Sequence, residues 1–157
     1  MKLEEKIVQV LREKGYTITT AESCTGGLLA GRILNVSGAS AVYHEGHITY
    51  SNEAKERLLG VAHDTLLQFG AVSRQTAAEM AAGAACVAKA QVGLSTTGIA
   101  GPGGGTTEKP VGLVYVGCCI HDKVTVEECY FHGNREENRN AAVEAALQLL
   151  WKHLSAD

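Results

Sequence analysis

The spacing of apolar residues along the chain alternates between a helical and a strand-like period, which predicts a mixed order of helices and strands. The first helix is expected to end at Gly15, because glycine readily adopts the left-handed conformation that closes a helix. The pattern predicts helices near residues 3–14, 28–34, 52–59, 64–69, 73–89 and 134–154, and strands near 17–20, 42–50, 92–97, 111–120 and 124–131. This order favours one compact α/β/α domain over residues 1–157, with a mixed sheet and helices on both faces.

Composition and charge narrow the possible ligands. The 157 residues carry a formal net charge of -3, and the 14 lysines and arginines are scattered along the chain. A protein that binds the phosphate backbone of nucleic acid usually concentrates its positive charge on one face. We therefore expect no nucleic-acid partner.

The cellular setting follows from the apolar stretches and the cysteines. No stretch is long and apolar enough to span a bilayer, so no membrane association is expected. Five cysteines without a CxxC pair are typical of reduced thiols, which favours a cytoplasmic protein. Cys86, Cys118 and Cys119 are interpreted as small core residues.

The segment from Ala21 to Gly27 follows a predicted strand and precedes a predicted helix. This placement is typical of a nucleophile turn, in which a side chain projects beside free backbone amides. The same residues also suit a helix cap with glycines for a tight turn. Spacing alone does not choose among Ser23, Cys24 and Thr25 as the nucleophile, although a serine is able to use a neutral lysine as its base.

Lys55 is the candidate base, because it lies in the first turn of a predicted helix. The positive end of the helix and partial burial would both lower the pKa of this amine. An exposed lysine paired with Glu56 is the simpler interpretation. Tyr50, five residues earlier, is placed to relay or donate a hydrogen bond beside Lys55.

A glycine-rich loop from Gly98 to Gly105 follows the strand that ends at Thr97. It lacks the spacing of a phosphate-binding P-loop and of a dinucleotide fingerprint, but it still offers backbone amides to a phosphate or a ribose. Arg135 and Arg139 lie four residues apart on one helix face, and guanidinium groups there suit a phosphate. Surface ion pairs with Glu136 or Glu137 are the alternative.

Metal binding is not predicted. His44 and His47 are close in sequence, but within a strand they would face opposite sides. The remaining histidines and the cysteines have no ligand spacing. We expect neither a metal nor an organic cofactor.

Several motifs together resemble the CinA C-terminal domain family over nearly the whole chain. They are Thr20-Ala21-Glu22-Ser23-Cys24-Thr25-Gly26-Gly27, Thr49-Tyr50-Ser51-Asn52-Glu53-Ala54-Lys55, Gly70-Ala71-Val72-Ser73, Thr97-Gly98-Ile99-Ala100-Gly101-Pro102 and Lys109-Pro110-Val111-Gly112. Gly133-Asn134-Arg135 departs slightly from the glycine, aspartate, arginine that relatives often carry. The resemblance implies a compact α/β/α fold.

For function, the resemblance implies a nicotinamide-nucleotide amidase, which hydrolyses nicotinamide mononucleotide to nicotinate mononucleotide and ammonia. The family's serine falls on Ser23, its lysine on Lys55 and its tyrosine on Tyr50. The implied ligand contacts lie around Thr25, Gly26, Gly27, Thr97, Gly98 and Gly101, with the amides of Gly26 and Gly27 stabilising the oxyanion.

Two further roles stay open beside the amidase. One is a non-catalytic nucleotide-binding or regulatory module, and the other is a partner-binding protein linked to competence and DNA damage, as the family name suggests. The small-molecule nucleotide is the expected partner. If the chain self-associates, a homodimer is favoured.

Overall fold

The computed structural model describes residues 1–156 and confirms the predicted α/β class. Its helices are α1 (Leu3–Lys14), α2 (Leu28–Leu34), α3 (Asn52–Leu59), α4 (His63–Phe69), α5 (Arg74–Ala88) and α6 (Arg135–Leu154). Its strands are β1 (Ile18–Glu22), β2 (His47–Ile48), β3 (Val92–Gly98), β4 (Leu113–Ile120) and β5 (Lys123–Tyr130). Helix α1 ends at Gly15 with a φ of 70°, as the sequence predicts.

The strands form one mixed sheet in the order β2-β1-β3-β4-β5. Strands β2, β1 and β3 run parallel, whereas β4 and β5 are antiparallel and form a hairpin. Helices α1, α2 and α6 cover one face, and α3, α4 and α5 cover the other. The side chains of β3 show this division, because Leu94 lies in the core under α6 whereas Ser95 donates to a carbonyl of α5.

Parallel pairing brings three segments to one edge of the sheet. The Ser23 amide donates to the Thr96 carbonyl at 3.0 Å, and the Thr49 amide donates to the Glu22 carbonyl at 2.8 Å. The carboxyl ends of parallel strands are where open α/β sheets place their ligands. The turn after β1, the segment before α3 and the end of β3 therefore share one site.

The predicted strand over residues 42–50 is wrong for most of its length. Residues Ala39–Ala41 form a 3-10 turn, and Val42 and Tyr43 both donate to the Ala39 carbonyl, which holds the chain in that turn. Of residues 42–50, Tyr43 forms an isolated bridge with Ile18, and His47–Ile48 forms the short strand that pairs with β1. The β-branched and aromatic residues favoured a strand, but local backbone bonds took precedence.

The prediction for the cysteines holds only in part. Cys118 and Cys119 are buried, whereas Cys86 is exposed. Residue 86 falls outside the buried face of α5, which comprises Thr76, Ala77, Met80, Ala81, Ala84 and Ala85. Within residues 1–156 no helix has the length and apolar character needed to cross a bilayer. The cytoplasmic location stays a prediction.

Candidate active site

Ser23 and Lys55 lie in direct contact at the edge of the sheet. Helix α3 begins after Ser51, whose hydroxyl accepts the Ala54 amide at 3.1 Å, and Lys55 is the next residue of the helix. The Lys55 Nζ lies 3.0 Å from the Ser23 Oγ and 2.7 Å from the Thr49 carbonyl oxygen. A longer contact of 3.3 Å joins the Nζ to the Tyr50 carbonyl.

The environment of Lys55 shifts its amine towards the neutral form. The residue is only 1% exposed, and among residues 1–156 no carboxylate oxygen lies within 4.0 Å of its nitrogen. Burial lowers the pKa of Lys55 to about 8. The sequence predicted a lowered pKa partly from the helix N-terminus, but the dominant cause in the structure is desolvation. A neutral amine beside a hydroxyl is the arrangement of a base and its nucleophile.

The three candidate nucleophiles lie in different surroundings. Burial raises the pKa of the Cys24 thiol to about 11, so that this residue stays protonated near neutral pH. The Thr25 hydroxyl is buried between the Glu22 carboxylate at 2.6 Å and the Thr96 hydroxyl at 2.7 Å. Ser23 alone among the three contacts the Lys55 amine with its side chain.

Tyr50 contacts the site differently from the prediction. Its phenol is 67% exposed, and its hydroxyl lies 3.5 Å from an Nη of Arg135 rather than beside the Lys55 amine. Only the backbone carbonyl of Tyr50 reaches Lys55. The proposed relay through the phenol is therefore wrong in this structure, and the ring forms part of the wall of the site.

The pair opens into a small cavity of about 180 Å³, below the size of most ligand pockets. Its lining comprises Ser23, Cys24, Tyr50, Lys55, Ala71, Val72, Thr97, Gly98, Ala100 and Arg135. A second, more open cavity of about 550 Å³ shares Ala100 and Arg135 with the first and continues past Pro102 and Val111. The two cavities therefore adjoin at Ala100 and Arg135.

A buried carboxylate that the sequence reading missed organises the turn after β1. Glu22 Oε1 accepts from the Gly27 amide at 3.2 Å and the Leu29 amide at 2.8 Å, and its Oε2 accepts from the Ala30 amide at 3.0 Å. Glu22 therefore caps the N-terminus of α2. An acid directly before a glycine turn and a helix is the signal that would have revealed it.

The predicted oxyanion hole, made of the Gly26 and Gly27 amides, is wrong because both amides already have acceptors within the turn. The Gly26 amide donates to the Ser23 carbonyl at 3.2 Å, and the Gly27 amide is bound by Glu22. Neither amide is free, and Thr25, Gly26 and Gly27 all lie outside the lining of the cavity. The positive end of α2 already holds a carboxylate, so it offers no place for a phosphate.

The guanidinium groups of the two predicted arginines of α6 bind different parts of the structure. Arg139 donates through Nε to the Cys24 carbonyl at 2.9 Å and through Nη2 to the Thr25 carbonyl at 3.2 Å, so it supports the turn. Arg135 lines both cavities and donates to the Gly101 carbonyl at 2.9 Å. In the described chain, neither guanidinium lies within 4.0 Å of a carboxylate. The alternative of surface ion pairs with Glu136 or Glu137 is therefore not found there.

The end of β3 and the loop that follows it line the site but offer it no free hydroxyl from Thr97. Thr97 lines the cavity, but its hydroxyl donates to the Ala71 carbonyl at 2.8 Å. A Cβ at Gly98 would lie 2.7 Å from the Leu113 carbonyl oxygen, so only glycine fits there. Gly101 contacts the site through the carbonyl that holds Arg135.

The histidines do not converge. The Nε2 of His47 lies 3.6 Å from an Oε of Glu45. Across residues 1–156, no three side chains of histidine, cysteine, aspartate or glutamate lie close enough together to hold a metal ion.

A single α/β/α domain with a buried serine and lysine pair at one sheet edge defines the class of this protein. The CinA C-terminal domain model matches residues 1–154, and the chain belongs to that family. It is 56% identical over 152 residues to a putative competence-damage inducible protein of Clostridium novyi, and 55% identical over 152 residues to a CinA-like protein of Kosmotoga olearia. Each alignment covers 97% of this chain but 37% of the relative, so the chain spans about 37% of their length.

Solved structures show the same fold. The competence/damage inducible protein CihA of Agrobacterium tumefaciens superposes with a TM-score of 0.93 and 46% identity, over 98% of this chain and 93% of that one. A CinA superfamily protein of Escherichia coli superposes with a TM-score of 0.91 and 36% identity, over 94% of this chain and 86% of that one. These likenesses establish the family and the fold.

Proposed function

We propose that this domain is an amidohydrolase that converts nicotinamide mononucleotide to nicotinate mononucleotide and ammonia. The observation that carries the proposal is the contact of 3.0 Å between the Lys55 amine and the Ser23 hydroxyl, with the lysine buried and unpaired by any described carboxylate. Burying a lysine without a counter-ion is destabilising, so it is expected where the neutral amine has a chemical task.

The reaction follows from this pair. Neutral Lys55 takes the proton of Ser23, and the serine oxygen attacks the carboxamide carbon to give a tetrahedral adduct. The protonated lysine then gives that proton to the leaving nitrogen, and ammonia departs as an ester forms on Ser23. Lys55, neutral again, takes a proton from water; the resulting hydroxide attacks the ester and releases the carboxylic acid. The regenerated hydroxyl recovers its proton from the lysine, which balances the cycle.

The shape of the site supports a nucleotide over free nicotinamide. The cavity beside Ser23 has room for the carboxamide end, and the adjoining cavity leads past Arg135. A guanidinium without a carboxylate partner is well suited to a phosphate, which it binds with two parallel hydrogen bonds. We propose that Arg135, rather than Arg139 or the glycine turn, holds the substrate phosphate.

The direct test is ammonia release from nicotinamide mononucleotide by the purified chain. Turnover is expected, with free nicotinamide a much poorer substrate because it lacks the phosphate that provides remote binding energy. A regulatory nucleotide-binding module would bind the mononucleotide without releasing ammonia. That outcome would reject the amidase and favour the binding module.

Replacement of Arg135 by glutamine is expected to raise KM for the mononucleotide about 10- to 100-fold, the usual range for loss of a charged hydrogen bond, with kcat little changed. The residual rate on free nicotinamide should not change, since that substrate carries no phosphate. Steady-state kinetics on both substrates measure the difference. Arg12→Gln, on α1 and outside both cavities, is the control. An equal loss on both substrates would place Arg135 in the chemistry rather than in phosphate binding.

A further inference from the structure

The amides of the turn between β1 and α2 fall into two groups. Those of Ser23, Gly26, Gly27, Leu28, Leu29 and Ala30 each donate to a carbonyl or to Glu22. Within this stretch of the described chain, only the amides of Cys24 and Thr25 have no acceptor. Cys24 lines the cavity, whereas Thr25 is completely buried.

The direction of the Cys24 amide is fixed through its own peptide group. The Ser23 carbonyl belongs to the same peptide plane and accepts the Gly26 amide inside the turn. In a trans peptide the carbonyl and the amide point in opposite directions. The Cys24 N–H therefore points away from the interior of the turn.

Two charged side chains, Glu22 and Arg139, bind this turn. Glu22 binds the Thr25 hydroxyl and the Gly27 amide. Arg139 binds the carbonyls of Cys24 and Thr25. Glu22 thus holds donor groups of the turn, and Arg139 holds acceptor groups of the same turn.

The glycines explain why the turn can take this shape. Gly26 and Gly27 have φ values of 56° and 107°, a region that other residues seldom adopt. A Cβ at Gly26 would also lie 3.2 Å from an Nη of Arg139. These glycines serve the geometry of the turn rather than the substrate.

We infer that the Cys24 amide is the oxyanion donor of the site, and that Glu22 and Arg139 are positioning residues that hold it in place. The inference rests on the proposed amidase function. The amide that follows the nucleophile stabilises the oxyanion in other strand-turn-helix hydrolases, for the same geometric reason. Neither Glu22 nor Arg139 needs to touch the substrate.

The test compares Glu22→Gln and Arg139→Gln with wild type, using nicotinamide mononucleotide as substrate. Glutamine keeps the size of Glu22, but it replaces one oxygen acceptor by a donor. Removing an oxyanion donor lowers kcat by about 10²- to 10³-fold, so displacing one is expected to lower kcat by at least about tenfold. Glu127→Gln, on exposed β5, is the matched control and should keep wild-type kcat.

A second readout separates positioning from substrate binding and from folding. The dissociation constant of the mononucleotide, measured in a Ser23→Ala background, should stay within about twofold of the background value for both variants. Circular dichroism establishes that each variant is folded, and if Glu22→Gln is not, Arg139→Gln carries the test.

Three outcomes decide the matter. A lower kcat with unchanged binding supports the inference. Unchanged kcat in a folded variant, or weaker binding that accounts for the whole loss, would overturn it. If wild type releases no ammonia while these assays run, the proposed function itself fails, and that result is distinct from either.

Discussion

Replacement of Ser23 by alanine is expected to lower turnover of nicotinamide mononucleotide by at least about 10³-fold, because the hydroxyl forms the bond to the substrate carbon. Affinity for the mononucleotide should change little, since the structure assigns no holding contact to this hydroxyl apart from Lys55. Ammonia release measures turnover, and calorimetry measures binding. Turnover within a few-fold of wild type would move the nucleophile to another residue.

Cys24→Ala is the matched control, because it removes the neighbouring thiol and keeps the backbone amide. The raised pKa of Cys24, about 11, leaves almost no thiolate near pH 7, so this variant should stay within a few-fold of wild type. Complete loss of activity in Cys24→Ala together with an active Ser23→Ala would reverse the two assignments.

Replacement of Lys55 by arginine is expected to lower kcat/KM by about 10³-fold near pH 7, even though the positive charge is kept. Arginine stays protonated and cannot accept the proton of Ser23. Lys55→Met should be equally impaired. For wild type, kcat/KM should rise about tenfold per pH unit up to about 8, the pKa set by burial, and then level off. An active arginine variant would show that position 55 supplies charge instead of a base.

The lowered pKa of Lys55 also makes the stability of the fold depend on pH. The pKa of Lys55 is about 8 in the folded chain, and its ordinary value is 10.5. At a pH between these two values, Lys55 holds a proton in the unfolded chain but not in the folded chain. The free energy of unfolding of wild type therefore gains from this group as pH rises through that window. Lys55→Met should lack this increase and should melt at a higher temperature than wild type at pH 7, because its side chain carries no charge to desolvate. Thermal melts across the window check both statements.

Residue patterns were sufficient where a local interaction decides the structure. Gly15 closes α1 in the left-handed conformation, and the predicted helices and strands other than residues 42–50 lie close to the observed ones. Each depends on neighbours within a few residues. The strand predicted over residues 42–50 failed because hydrogen bonds to Ala39 outweigh the strand preference of its side chains.

In the candidate site too, local patterns predicted some features and tertiary contacts decided the others. Ser23 and Lys55 were identified from motifs, and the resemblance placed both, but their contact of 3.0 Å arises from pairing between β1 and β2 and from the start of α3. The role of Glu22 was missed because its four donors become available only when the turn folds back over it. The spacing of Arg135 and Arg139 predicted a shared face, yet their long side chains reach different carbonyls.

By itself, the sequence determined the order of helices and strands, the α/β class, the family and the two residues at the centre of the site, because periodicity, caps and motifs are local properties of the chain. Tertiary structure decided which nucleophile meets the lysine, that desolvation lowers the pKa of the lysine, and that the glycine amides are already bound. The first two depend on burial and on a contact between residues 32 apart, which only the packed sheet and its helices bring together, and the glycine amides find their acceptors only when the turn folds over Glu22.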